Sequence, residues 1–90
     1  MEEGRSSIRR RMLKEGKLLL SDTQIFDCRI RDMSDGGARV ELASFFELPK
    51  QLRLWIVSTN VVMPAELAWQ RGQMIGLRFT GPAQPAPRAT

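Results

Sequence analysis

A chain of 90 residues with 14 Lys/Arg against 10 Asp/Glu, net charge +4, can build one modest core and has no room for a second domain. It holds no histidine, no tyrosine and one cysteine, which removes the commonest general base and metal ligand, any internal disulfide and any multi-cysteine metal site. No apolar run reaches bilayer length, and Met1-Glu2-Glu3-Gly4 is acidic with no apolar stretch behind it, so neither a membrane span nor a secretory signal is expected and a cytoplasmic location follows.

The first element is basic. Residues 1–17 hold six Lys/Arg against three Glu, whereas residues 18–90 hold eight against seven. The charge excess is therefore local, and residues 1–16 read as a flexible arginine-rich arm suited to an anionic partner or simply to solvent. A first strand is expected near Lys17–Leu20. From residue 24 onward the apolar residues recur every second position, the period of half-buried antiparallel strands. Phe26, Cys28 and Ile30 alternate with Asp27, Arg29 and Arg31; Ala38, Val40 and Leu42 alternate with Arg39 and Glu41. Leu52, Leu54 and Ile56 form the next set, then Val61, Met63, Ala65, Leu67 and Trp69, then Ile75, Leu77 and Phe79.

Turn chemistry separates the sets at Ser21-Asp22, Ser34-Asp35-Gly36-Gly37, Ser58-Thr59-Asn60 and Arg71-Gly72. In the longer connection Ala43–Lys50, Ser44-Phe45-Phe46-Glu47 has capping-box spacing, which allows a single helical turn. Pro64 cannot donate to a ladder, so it implies an edge, a bulge or a break. The Pro/Ala-rich residues 81–90 lack apolar periodicity and read as a disordered tail. Six short strands over residues 17–80 need closure around one core, and a six-stranded antiparallel β-barrel provides it without leaving unpaired edges.

Two segments carry possible chemistry. Asp32-Met33-Ser34-Asp35-Gly36-Gly37 is a hairpin loop on turn chemistry alone. It also offers a carboxylate and a hydroxyl two residues apart on one side of an extended segment. Gly37 there would permit positive φ or a close approach by a ligand. The second segment is Arg5, Arg9, Arg10 and Arg11. Guanidinium groups bind phosphate bidentately, stack on flat rings and fork onto O6 and N7 of guanine. Cys28 falls on the apolar phase of its strand and reads as inert core. Trp55 and Trp69 could stack on a base, with a place in the core or its lid as the plainer reading.

Taken together, Arg5-x-x-x-Arg9 and, 23 positions on from Arg9, Asp32-x-Ser34-x-x-Gly37 resemble the paired signature of PilZ domains. Cys28-Arg29-Ile30-Arg31-Asp32 ahead of the loop, and Ala68-Trp69-Gln70-Arg71-Gly72 through Ile75-Gly76-Leu77-Arg78-Phe79, are similar to that family's segments too. The resemblance covers residues 5–80 and implies a six-stranded barrel that binds the bacterial second messenger cyclic di-GMP. It implies that Arg5 and Arg9, supported by Arg10, grip phosphates and guanine edges. Asp32 and Ser34 would hold the N–H groups and exocyclic amine of a guanine, and Gly37 would shape the loop.

The leading expectation is a non-enzymatic receptor without cofactor or metal. Cyclic di-GMP would order its arm and remake a surface for a downstream protein partner. The alternatives are a ligand-free adaptor of the same fold and a small basic barrel that binds single-stranded RNA. The last is disfavoured because the basic excess is confined to the arm and aromatic residues are few.

Overall fold

The computed structural model describes residues 10–21, 23–45 and 47–86, with backbone alone for residues 10–13. The elements are β1 (Arg10–Leu19), β2 (Ile25–Met33), β3 (Gly37–Leu42), β4 (Gln51–Ile56), β5 (Val61–Arg71), β6 (Met74–Phe79) and β7 (Gln84–Pro85). All pairings are antiparallel. They run in the order β4-β1-β2-β3-β6-β5, and a β4–β5 pairing closes the ring. The expected six-stranded antiparallel barrel is what forms, with β7 added on β5.

Period-two alternation explains the core. One face of each strand is apolar, and closure turns those faces toward one another. Leu18, Ile30, Val40, Leu42, Leu54 and Ile75 are fully buried at its centre, with Cys28, Ala38, Leu52, Ile56, Ala65 and Leu77 around them. Each fully buried Val, Leu or Ile side chain among them contributes about 1.5–3 kcal/mol through removal from water. Val61, Met63 and Leu67 pack against this cluster from β5, as their spacing predicts. Pro64 sits where β5 has run past the end of β6. Its carbonyl accepts from the Thr80 N–H (2.8 Å), but proline has no N–H to return to Thr80, so the β5–β6 ladder ends at this pair.

Four sequence expectations change. The first strand begins at Arg10, not near Lys17, so residues 10–16 belong to the barrel and not to an arm ending at residue 16. The cause is β2: its nine residues present a long ladder, and β1 pairs along it from Leu19↔Ile25 to Arg10↔Met33, with an irregularity between Arg11 and Lys14. The charged run 10–17 hides this strand because backbone pairing needs no apolar side chain. The tail is the second change. Gln84–Pro85 pairs with Val61–Val62, and the Ala86 N–H donates to the Asn60 carbonyl at 3.3 Å. Val62 lies off the core phase yet is fully buried, with β7 alongside. Third, the described residues of the 43–50 connection form no helical turn. Fourth, Trp69 leaves the alternating set, because β5 carries an extra residue, Ala68, between Leu67↔Leu77 and Trp69↔Gly76. A one-residue insertion reverses every later side chain, so the indole lies on the outer surface.

Candidate functional site

The site grows from two bulges. On β2, Ile30 opposes Val40 and Asp32 opposes Arg39, two steps against one, so Arg31 is the extra residue. Alternation continued from Cys28 and Ile30 would send Asp32 into the core. The bulge instead turns it to the outer face and gives the core Met33. The Asp32 carboxylate accepts from Arg39 Nη2 at 2.7 Å, and its side chain is only 8% exposed against 48% for Arg39. A desolvated carboxylate is stable only when paired or hydrogen-bonded, and Arg39 supplies one such pairing.

The Asp32 rung extends around the barrel. Arg11 of β1 opposes Asp32, Arg39 opposes Gly76 of β6, and Gly76 opposes Trp69 of β5. Trp69 lies over Gly76. A Cβ built on that glycine would meet the indole Nε1 at 2.1 Å, so any other residue there would displace the ring from this position. The indole remains 42% exposed, and the Arg71 guanidinium carbon is 5.9 Å from its centroid, at the limit of cation–π range. The next outer rung is Gly37, Arg78 and Glu66, with Arg78 ion-paired to Glu66.

The Ser34–Gly36 loop closes the β2–β3 hairpin at the same end. The Ser34 N–H donates to the Gly37 carbonyl at 2.8 Å, and the Gly36 N–H donates to Ser34 Oγ at 3.4 Å. The Phe79 N–H donates to the Gly36 carbonyl at 2.9 Å, which ties the loop to β6. Gly37 is needed for neither of the expected reasons. Its φ is not positive, and what stands where its Cβ would be is backbone. A Cβ there would lie 2.1 Å from the Leu77 carbonyl oxygen. Glycine lets β3 and β6 come this close.

Of the residues singled out in the sequence, Asp32, Ser34 and Gly37 share one end of the barrel around a single hairpin. Arg5 and Arg9 lie outside the described residues. Arg10 lies in β1 opposite Met33, next to the Arg11↔Asp32 pair, so the basic segment enters the barrel beside Asp32. Sequence reasoning missed Arg39, which alternation had marked only as an outward residue. The charge pattern offered no cue, because the strand pairing that opposes it to Asp32 depends on the bulge.

A concavity of about 490 Å³ lies elsewhere along β2 and β3, lined by Asp27, Arg29, Arg31, Glu41, Gln73 and neighbouring backbone, and takes in none of Asp32, Ser34 and Gly37. Its charges are largely matched in place, Lys17 with Asp27 at 2.6 Å and Arg31 with Glu41 at 2.9 Å. The Asp32 rung carries on the outer face a buried carboxylate paired with Arg39 and, over Gly76, the partly exposed indole of Trp69. Among the described residues no cluster of three potential metal ligands occurs, and no helix is long and apolar enough to cross a membrane.

Comparison with curated proteins gives no match. Comparison with family models gives one that covers essentially the whole chain: the family described as PilZ domain, matched over residues 3–89.

Proposed function

The chain belongs to the PilZ domain family, whose members are in general cyclic di-GMP-binding adaptors, and from that premise we propose that it is a cytoplasmic receptor for cyclic di-GMP. The observation that carries the reading is the placement of Asp32 and the Ser34–Gly37 loop on the outer face, where β1 delivers the arginine segment. A cyclic dinucleotide offers two phosphates, two guanine Hoogsteen edges and flat faces. Arg5, Arg9 and Arg10 match the phosphates and the Hoogsteen edges. Asp32 and Ser34 match the guanine N–H donors, and the exposed indole of Trp69 offers a stacking face. The ligand bridges the arginine segment and the barrel, orders the N-terminal arm and makes a surface for a protein partner. The protein performs no chemistry on the nucleotide.

The test is calorimetric titration of the purified chain with cyclic di-GMP, with Arg9→Ala and Ser34→Ala alongside. The wild type binds. Loss of a charge-assisted contact in Arg9→Ala costs about 1.5–3 kcal/mol, roughly tenfold or more in affinity. Undiminished affinity in Arg9→Ala overturns the role of the arm. No heat with the wild type overturns the receptor reading and leaves the ligand-free adaptor of the same fold in its place.

A further inference from the structure

We propose that Arg39 is a positioning residue of this site: it fixes the Asp32 carboxylate in the orientation that reads the donor edge of a guanine, and so sets selectivity for the exocyclic amine. The inference rests on the cyclic di-GMP reading above and extends it to a residue outside the paired signature.

The bulge at Arg31 places Asp32 directly opposite Arg39, and their side chains meet at 2.7 Å. The carboxylate is buried and the guanidinium half-exposed, so the pair is anchored at its acid end. A guanidinium is a planar fork with fixed donor directions, so its contact at Oδ2 restricts rotation of the carboxylate as well as supplying charge.

Arg39 is committed to this partner by its surroundings. On β6 it faces Gly76, which has no side chain to compete for it. The nearby anions on the outer face are already engaged: Glu41 with Arg31 and Glu66 with Arg78. A guanine presents N1–H and the 2-amino group as two parallel donors about a carboxylate's width apart. Both are met only when the carboxylate plane is held in register with the base. A carboxylate turned out of that register leaves one of the two donors unmet.

The experiment pairs one residue with one ligand atom group. Wild type, Arg39→Ala and Arg39→Lys are titrated with cyclic di-GMP and with cyclic di-IMP, which keeps the phosphates, ring faces, Hoogsteen edge and N1–H and lacks only the 2-amino group. Thermal unfolding of each variant is recorded in parallel. The wild type prefers cyclic di-GMP by about tenfold, the worth of one charge-assisted hydrogen bond. In Arg39→Ala that preference falls to about twofold or less, because affinity for cyclic di-GMP drops while that for cyclic di-IMP changes little. Lysine keeps the charge without the fork, so Arg39→Lys falls between the two.

Equal losses for both ligands, with the preference intact, reduce Arg39 to a structural ion pair and overturn the proposal. So does a wild-type preference retained in Arg39→Lys, the variant that decides if Arg39→Ala does not fold. A wild type that binds both ligands alike overturns the proposal while the receptor reading stands. A wild type that binds neither overturns both.

Discussion

Single residues here are constrained by what lies next to them in space. Cys28 shows this through its thiol. Burial, reinforced by the neighbouring Asp27 carboxylate, pushes its pKa up from an ordinary 9.0 to about 12. The nucleophile is the thiolate, so the native thiol should resist a disulfide reagent at pH 8 and react fully once the chain is unfolded in denaturant. Rapid modification of the native protein would contradict the burial. The linkage has a definite sign. The unfolded thiol ionises near pH 9 and the folded one near pH 12, so this component of stability is complete below pH 9 and declines as pH rises toward 12. Denaturation midpoints measured at pH 8 and pH 10 should converge in Cys28→Ala relative to the wild type.

Gly37 makes the same point through backbone. Any Cβ there would press on the Leu77 carbonyl at 2.1 Å, and a carbonyl inside a ladder cannot rotate aside. Gly37→Ala should therefore part β3 from β6 locally and destabilise the protein by about 1–3 kcal/mol, the usual cost of overpacking. A urea midpoint equal to wild type would show that the strands can yield. The glycine is recognisable in the sequence as part of a motif, but its reason is not, because the atom it avoids lies 40 positions away, in another strand.

At the scale of elements, the strands follow from alternation and their side-chain directions do not always. β3, β4 and β6 present the faces that their sequences predict. β2 and β5 start on the predicted phase and then reverse at Arg31 and Ala68. Nothing in the local sequence marks either reversal, since neither bulged residue is glycine and the phase resumes in both cases with a plausible side chain. Those two insertions bring Asp32 and Trp69 outward onto one rung with Arg39 and Gly76. The first part of β1, residues 10–16, and β7 were hidden for another reason. Their contribution is backbone pairing, one through a charged segment and one through Gln84–Pro85, so neither carries an apolar period to read.

The whole molecule is a closed ring with a basic segment entering through β1, beside Asp32. A ligand that bridges the two binds the folded state alone, so it must stabilise that state. At a free ligand concentration a hundred times Kd the gain is about 2.7 kcal/mol. For a domain of this size that raises Tm by roughly 10–20 °C. Differential scanning calorimetry with cyclic di-GMP should show the rise in wild type, and at the same ligand concentration a much smaller one in Arg9→Ala. An unshifted wild-type transition would mean that the ring and the arm do not share this ligand.

The sequence by itself determined the strand count of the closed ring, the core face of most strands, the turns between them and the family signature at Asp32, Ser34 and Gly37. These follow from local periodicity, turn chemistry and spacing, each readable within a few residues. Tertiary structure alone decided that Asp32 faces outward, that Arg39 holds it, that Gly37 makes room for a carbonyl, and that Trp69 lies over Gly76. The physical reason is shared. Each depends on which residue of a neighbouring strand stands opposite, and register is set by closure of the whole ring, with bulges absorbing the mismatch.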